Sequence, residues 1–261
     1  MIKLIDSHAH YDDERFAKEF EGGCDAALAL SRDAGVDAII NVATNPDNIK
    51  TTLSLAERYD FIYAAVGIHP EDCHNIAGEP ADVLMEVEKN LSHPKVVAIG
   101  EIGLDYYWKP FDRERQIEFF DLQLEMAKEH GLPVIIHCRD AVGDAVEVVK
   151  HHRGVRGVFH AYSGSAETAR ELLPYGWYFS FGGVATYKNA HKVREAMRAV
   201  PIDRLLIETD CPYLSPVPHR GKINYSAYMF ETLDVMAENL GVDKSSLAEA
   251  LVGNTKTLFG I

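Results

Sequence analysis

The chain has 261 residues, of which 47% are hydrophobic and 25% are charged. This composition is typical of a soluble globular protein, and the length suits one large α/β barrel or two small domains. The formal net charge of −14 argues against broad, non-specific binding to nucleic acid, which depends on a basic surface, although it permits a phosphate-bearing substrate held by metal ions in a local cleft.

Three further features predict a cytoplasmic protein. No apolar run reaches about 18 residues, so no membrane span is expected. The first residues lack the basic region and the apolar segment of an export signal. The four cysteines are far apart and form no CxxC motif, which favours a reducing compartment and predicts neither a disulfide framework nor a thiolate zinc site.

Eight short apolar segments recur along the chain at regular intervals. They are rich in β-branched and aromatic residues and contain few polar ones, as expected of strands that are buried on both faces. They cover residues 3–10, 37–43, 61–69, 96–105, 133–139, 157–163, 178–183 and 204–210.

Segments with helical periodicity separate these predicted strands, and two more helices are predicted from about residue 225 to the end. No linker or composition shift interrupts the chain, so a single domain over residues 1–261 is expected. The alternation predicts an α/β fold, a (β/α)8 TIM barrel with additional C-terminal helices. The alternative is a doubly wound open sheet, but the glycine-rich phosphate turn that often marks that class is absent after the first strand.

The first predicted strand ends in an unusual way, with the sequence "DSHAH". Because side chains alternate between the faces of a strand, Asp6, His8 and His10 share one face. With 12 histidines in the chain, one HxH pair alone means little. Buried polar groups on a single face nevertheless need partners, which the rest of the chain must supply.

Other polar side chains also lie near the ends of predicted strands. Seven imidazoles and carboxylates lie late in six of the eight apolar segments: His8, His10, His69, Glu101, His137, His160 and Asp210. Functional groups of a barrel cluster at the carboxyl ends of its strands, so these side chains are expected to converge. A metal cation is the natural shared partner, because neutral imidazole and carboxylate both ligate it.

The number of donors predicts two divalent metal ions rather than one. Four histidines and two acids exceed what one four-coordinate site needs. The sequence places His8, His10 and Asp210 on one ion and His137 and His160 on the other. Glu101, on the middle strand of the set, is expected to bridge them.

The order and spacing of several motifs resemble those of the TatD family of metal-dependent deoxyribonucleases, within the amidohydrolase-like TIM barrels. The motifs are "DSHAH", "GIHP", "GEIGLDYY", "IIHCRDA", "HAYSGS", "LLIETDCPYLSP" and "PHRGK", and they cover nearly the whole chain. The resemblance implies a metal-dependent phosphodiesterase, expected to be an exonuclease, that acts on DNA with single-stranded or accessible ends. It implies the six metal ligands named above. Ligand softness favours Zn or Mn, and the resemblance permits Mg.

Catalytic roles follow from a two-metal mechanism, in which the ions lower the pKa of a water molecule so that it can attack phosphorus as hydroxide. Asp210 is the predicted general base, since it both ligates and can accept a proton, and Glu101 bridges the ions. His69 is not needed as a ligand and is predicted to be a phosphate donor or the acid for the leaving group; a structural histidine before a proline is the alternative.

Substrate contacts are predicted from residues just beyond the strands. Arg139 and Arg220 are expected to hold phosphate, and Tyr106, with Tyr107 and Trp108, to stack on bases. For all of these, surface charge or loop packing is the alternative. Two further acids, Asp6 and Glu208, precede ligands by two residues and are expected to orient ligand imidazoles or to form ion pairs within the barrel.

One departure from the family pattern and two alternative functions remain open. After "PHRGK" the family usually continues with a segment like "RNEPAY", whereas this chain has "INYSAY", with Tyr225 and Ser226 where Glu and Pro are typical. The same kind of centre could hydrolyse an ester, a lactone, an amide or an aminoacyl-tRNA, although many such enzymes bridge the metals with a carboxylated lysine and no lysine interrupts a strand here. A non-catalytic metal-binding protein is the second alternative. The oligomeric state is not predicted.

Overall fold

The computed structural model describes residues 2–261 as a ring of eight parallel strands with helices around it. Each strand pairs with the next one in the chain. An isolated bridge between Ala9 and Cys211 brings the end of the ring back to its start. The strands are β1 (Leu4–Ala9), β2 (Val36–Val42), β3 (Ile62–Val66), β4 (Val96–Asp105), β5 (Val134–Arg139), β6 (Gly157–Phe159), β7 (Tyr178–Phe181) and β8 (Leu205–Ile207). The predicted TIM barrel is confirmed.

Helices fill the connections and follow the last strand. None of them within residues 2–261 is long and apolar enough to cross a lipid bilayer. The predicted additional C-terminal helices are α9 (Met229–Leu240) and α10 (Lys244–Phe259). The α-helices are α1 (Glu14–Glu19), α2 (Gly23–Ala34), α3 (Pro46–Arg58), α4 (Pro80–Glu88), α5 (Arg113–His130), α6 (Val142–His151), α7 (Ala166–Leu172), α8 (His191–Ala199), α9 (Met229–Leu240) and α10 (Lys244–Phe259).

Local sequence signals explain where two of these helices end or begin. The side chain of Asn45 accepts hydrogen bonds from the backbone N–H groups of Asp47 and Asn48, and Pro46 occupies the first turn of α3, so the helix begins there. Gly35 ends α2 with a φ of 111°, in the left-handed region that glycine adopts without strain.

The strands are buried on both faces, as their apolar sequences predict. In β2, Ile40 and Val42 alternate with Ile39 and Asn41. The amide of Asn41 reaches the hydroxyl of Thr52 on α3, so this face of the strand packs against the helices. Ile40 and Val42 therefore fill the interior of the barrel. This interior cluster supports the layer of polar residues at the carboxyl ends of the strands.

Three strands end three or four residues earlier than the sequence predicts, at Val66, Phe159 and Ile207. The chain leaves the strand ladder at these points, so His69, His160 and Asp210 lie on the loops just past the strand ends. Asp210 has a φ of 57°, a left-handed conformation that aspartate tolerates better than most residues. The early ends free these side chains to turn towards the mouth of the barrel.

Candidate metal centre

A cavity of about 720 Å³ opens at the carboxyl ends of the strands, the face at which TIM barrels place their active sites. Its lining includes five of the six predicted metal ligands, all except His8. His8 is fully buried and stacks on His160, with ring centroids 4.0 Å apart. The structure therefore brings the whole predicted ligand set to one place.

Four donor atoms form what we call the first ligand group: Nε2 of His8, Nε2 of His10, Oε2 of Glu101 and Oδ1 of Asp210. The two nitrogens are 3.0 Å apart. The Glu101 oxygen lies 3.3 Å from the nitrogen of His8 and 3.6 Å from that of His10, and the Asp210 oxygen lies 3.7 and 3.5 Å from the same nitrogens. Four ligands around a tetrahedral zinc ion stand roughly 3.3–3.4 Å apart, so these five distances are close to those expected around a metal ion.

Three donor atoms form the second ligand group: Oε1 of Glu101, Nδ1 of His137 and Nε2 of His160. The carboxylate oxygen lies 2.8 Å from the nitrogen of His137 and 2.7 Å from that of His160. The two nitrogens are 3.3 Å apart. With three donors, this group leaves a position open for water or substrate, as catalytic metal sites do.

Hydrogen bonds behind two of the imidazoles fix which nitrogen is free to ligate. Nδ1 of His10 lies 2.9 Å from the carbonyl oxygen of Val42, which can only accept, so the proton is on Nδ1 and the lone pair is on Nε2. Nε2 of His137 lies 2.9 Å from Oδ2 of Asp105, so Nε2 keeps its proton, and Nδ1 would offer its lone pair once a cation replaces the proton that it shares with Glu101, 2.8 Å away. In both cases the lone pair belongs to the donor atom that faces the ligand groups.

Glu101 lies at the centre of the site and is only 3% exposed. Five imidazoles come within 3.6 Å of its two oxygens, those of His8, His10, His69, His137 and His160. Burial alone would raise the pKa of the Glu101 carboxyl, but the neighbouring imidazoles hold it well below its ordinary value.

The chemistry of the donors fits divalent cations. Burial lowers the pKa of His8, with a further contribution from His160, so the His8 imidazole is neutral, as a metal ligand must be. Burial acts in the same direction on the other three ligand imidazoles, but the nearby carboxylates outweigh it: they raise the pKa of His10 to about 9 and raise the pKa of His137 and His160. A divalent cation would take the place of those protons, because metal binding requires neutral imidazole. Burial also acts on Asp210 by raising its pKa, but hydrogen bonding to His10 and the nearby imidazole charges lower the pKa below its usual value. Neutral imidazole with ionised, shared carboxylate is a donor set that suits Zn²⁺ or Mn²⁺.

Asp105 is a site residue that the sequence analysis missed. Its carboxylate is 1% exposed and holds His137 in place. The available signal was alternation, since Glu101, Gly103 and Asp105 share one face of β4. A side chain at Gly103 would place its Cβ 2.1 Å from the carbonyl oxygen of His137. Glycine therefore allows β4 and β5 to approach closely enough for the carboxylate to reach the imidazole.

The two acids that precede ligands have different roles. Oε1 of Glu208 lies 3.6 Å from Nδ1 of His160, a position from which it can orient that ligand. Asp6 instead accepts hydrogen bonds from the backbone and hydroxyl of Thr209 and from the hydroxyl of Ser226. Asp6 thus joins β1 to the segment after β8.

Ser226, one of the departures from the family pattern, belongs to this buried network. Its hydroxyl donates to Asp6 at 2.6 Å and accepts from Tyr11 at 2.8 Å. Its backbone N–H donates to the same tyrosine oxygen at 2.9 Å. A proline lacks both the hydroxyl and the N–H, so it could make none of these three hydrogen bonds. Serine therefore replaces the proline typical of the family with a different, hydrogen-bonded arrangement behind the ligands.

The predicted substrate-binding residues lie in different places. Arg139 lines the cavity. Tyr106 lies outside the cavity lining, and its hydroxyl donates to Asp144 at 2.6 Å. Arg220 is exposed, with its guanidinium 4.2 Å from the ring centroid of Tyr187. Of the three, only Arg139 lines the cavity that contains the metal ligands.

Comparisons with known proteins show the family to which the chain belongs. The family model described as TatD related DNase matches residues 5–260. The chain is 41% identical to the metal-dependent hydrolase YabD of Bacillus subtilis, over 99% of both chains, and 36% identical to YcfH of Escherichia coli, over 99% of this chain and 96% of that protein. The crystal structure of YjjV, a TatD homologue from Escherichia coli, matches with a TM-score of 0.91 and 34% identity, over 99% of this chain and 98% of that one. The predicted resemblance is confirmed, and the chain belongs to the TatD family of metal-dependent hydrolases.

Proposed function

We propose that the protein is a two-metal phosphodiesterase that degrades DNA in the cytoplasm, as an exonuclease acting on single strands or accessible ends. The observation that carries this proposal is the division of the Glu101 carboxylate, with Oε2 in the first ligand group and Oε1 in the second. A shared carboxylate can hold two cations close together, the arrangement used for in-line displacement at phosphorus. The description of the matching family model supports DNA as the substrate.

The six ligands would hold Zn²⁺, Mn²⁺ or Mg²⁺, with the imidazole-rich set favouring the first two. Cations bound there lower the pKa of a water molecule, so that hydroxide is available near neutral pH, and offset charge on a phosphoryl oxygen. The remaining work of the reaction, proton transfer and orientation of the substrate, falls to side chains of the chain itself.

Asp210 and His69 are suited to complementary roles, as a proton acceptor and a hydrogen-bond donor. The ionised Asp210 carboxylate, which faces the cavity, would accept the proton of the attacking water. The backbone N–H of Glu71 donates to Nδ1 of His69 at 3.1 Å, so the imidazole proton is on Nε2. That nitrogen faces the ligand groups, 3.4 Å from Oε1 of Glu101. His69 therefore presents an N–H group rather than a lone pair to the ligand groups, and we assign it a hydrogen bond to a phosphate oxygen or to the leaving oxygen.

Arg139 is our candidate for holding a phosphate that is not cleaved. It is the single arginine among the residues that line the cavity, and it extends β5 two residues beyond His137. Its guanidinium can offer two parallel N–H groups to phosphate oxygens.

Hydrolysis of an ester, a lactone, an amide or an aminoacyl-tRNA is the second candidate. The bridging position favours the phosphodiester reaction, because Glu101 occupies it and no lysine of residues 2–261 lines the cavity. A carboxylated lysine bridge therefore has no candidate residue in the described part of the chain.

The test is turnover of bis(4-nitrophenyl) phosphate and of an end-labelled single-stranded DNA, before and after chelation and after reloading with each metal. We expect release of nitrophenolate and shortening of the strand from one end, both lost with chelator and restored by Zn²⁺ or Mn²⁺.

A matched set of esters and lactones provides the control. Reloaded protein that is inert towards both phosphodiesters but hydrolyses an ester or a lactone would replace the nuclease proposal with the second candidate.

A further inference from the structure

Three chemically different sectors surround the mouth of the cavity. Over β1 to β3 it is acidic, with four carboxylates outside the ligand groups: Asp12, Asp13, Glu71 and Asp72. Over β7 and β8 it is mainly apolar, with Val184, Ala185, Val193 and Leu214. Over β4 and β5 it carries Trp108 and Arg139. A polyanion that reaches the metal ligands therefore meets very different surroundings on different sides.

We use the term platform for Tyr107, Trp108 and Arg139, which lie together over β4 and β5. The Arg139 guanidinium is 3.7 Å from the ring centroid of Tyr107 and 5.5 Å from that of Trp108. The two aromatic side chains are 49% and 55% exposed. Exposed aromatic faces beside an arginine are the elements with which proteins bind single strands, by stacking on bases and by contact with phosphate.

The platform is fixed to the metal centre through Asp105. Its Oδ1 accepts the backbone N–H groups of Tyr107, at 2.8 Å, and of Trp108, at 3.2 Å. Its Oδ2 binds His137. One buried carboxylate thus sets both the position of a metal ligand and that of the aromatic loop. The stacking surface is held at a constant distance from the second ligand group.

We propose, on the basis of the function given above, that a single-stranded polynucleotide extends from the metal centre on one side only. The nucleotide next to the scissile phosphate stacks on Trp108, and its following phosphate binds Arg139. The acidic sector borders the platform, since Glu71 and Asp72 line a smaller cavity together with Trp108, and it repels phosphates over β1 to β3, because like charges across a narrow cleft disfavour approach. This path makes the platform the determinant of preference for a strand over a small phosphodiester.

The natural tryptophans give a direct binding assay. The chain has two: Trp108 is exposed, whereas Trp177 is 1% exposed. Stopped-flow mixing of the metal-loaded protein with an oligothymidylate of about twelve nucleotides should quench the Trp108 emission before turnover. In Trp108→Ala, the remaining Trp177 emission should not change. Equal quenching in Trp108→Ala, or none in the parent protein, would overturn the stacking assignment.

Kinetic selectivity provides the second readout. For Trp108→Ala and Arg139→Gln, the ratio of kcat/KM for the strand to that for bis(4-nitrophenyl) phosphate should fall roughly tenfold, mostly through KM. Arg153→Gln is the matched control, because its guanidinium also lies over an exposed tyrosine, 5.9 Å from the ring centroid of Tyr175, outside the cavity lining. An unchanged ratio in the platform variants would refute the proposed path.

The acidic sector is tested by Glu71→Gln, which removes one charge and keeps the shape. At low salt the KM for the strand should fall about two- to threefold, and the difference should disappear as salt screens the cleft. An unchanged KM at low salt would contradict the proposal that the acidic sector repels the strand. Failure of the underlying function is distinguishable, because the parent protein would then hydrolyse neither the strand nor the small diester.

Discussion

The two ligand groups of the metal centre are supported in different ways. The first has four donors, and backbone groups support it: Nδ1 of His10 donates to the Val42 carbonyl, and the Asp210 N–H donates to the carbonyl oxygen of His8 at 2.9 Å. The second has three donors, and side-chain carboxylates, Asp105 and Glu208, lie behind its imidazoles. The comparison teaches that the first group should retain metal by donor number and backbone geometry, whereas the second should depend on replaceable side chains.

The largest effect is expected where the two groups meet. Glu101→Ala removes a donor from both, so activity should fall by at least roughly 1000-fold, because several kcal/mol of charge stabilisation are lost. Circular dichroism and the unfolding midpoint should show a folded protein. Substantial activity in the variant would contradict the idea of a shared carboxylate.

Removal of one histidine from each group separates their contributions. His8→Ala and His160→Ala should each lose metal from one group only, up to one equivalent, measured by mass spectrometry of the dialysed protein, since each loses a ligand that the other group does not use. His160→Ala, with two donors left, should lose its ion more completely than His8→Ala, with three. The reverse order would contradict the comparison.

Asp105→Asn tests the support behind the second group alone. An asparagine can donate its amide N–H to Nε2 of His137, which would favour the tautomer that has its proton on Nδ1, the metal-binding nitrogen. Metal affinity or activity should therefore fall about 10- to 100-fold, with affinity measured by titrating the chelated protein with metal. Asp121→Asn is the matched control, because Asp121 binds Nε2 of His152 at 2.7 Å in a similar pair outside the cavity lining. An equal effect of the two substitutions would show a general loss of stability instead.

The smallest effect is expected behind the first group, at Ser226. Ser226→Ala removes buried hydrogen bonds to Asp6 and Tyr11 and should lower the free energy of unfolding by about 1–3 kcal/mol, as measured by urea denaturation. Metal content should stay the same. Thr257→Ala, at an exposed hydroxyl that bonds only within α10, should change stability by less than about 0.5 kcal/mol. A loss of metal in Ser226→Ala would show that the network holds ligands as well as strands.

The sequence was sufficient to predict the barrel and the convergence of the metal ligands at one of its faces, for one physical reason. A polar residue that follows a doubly buried apolar strand must lie near the strand end, and all such ends of a parallel barrel share one face. His8, Glu101 and Asp210 were therefore predictable although they are far apart in sequence.

The supporting contacts were less accessible to sequence analysis, because they depend on register and on distant partners. Asp105 reaches His137 only because β4 and β5 pair with Gly103 opposite His137, after an irregularity in their register. Tyr106 turns to Asp144, 38 residues further along the chain, so no local pattern predicted that its hydroxyl would leave the cavity. The proton position of His69 likewise depends on a backbone N–H in its own loop.

The first ligand group also spans the place where the ring closes. His10 donates its N–H to the carbonyl of Cys211 at 2.8 Å, and the Ser7 hydroxyl binds the carbonyl of Ile207, 200 residues away, at 3.0 Å. A cation bound there would link β1, the first strand to be synthesised, to the segment that follows β8, the last. A nascent or proteolysed chain without β8 lacks one of the four donors and the closing contacts, so tight capture of this ion would wait for a finished barrel. Binding of this ion, and with it the activity of the hydrolase, would therefore require a completely folded barrel.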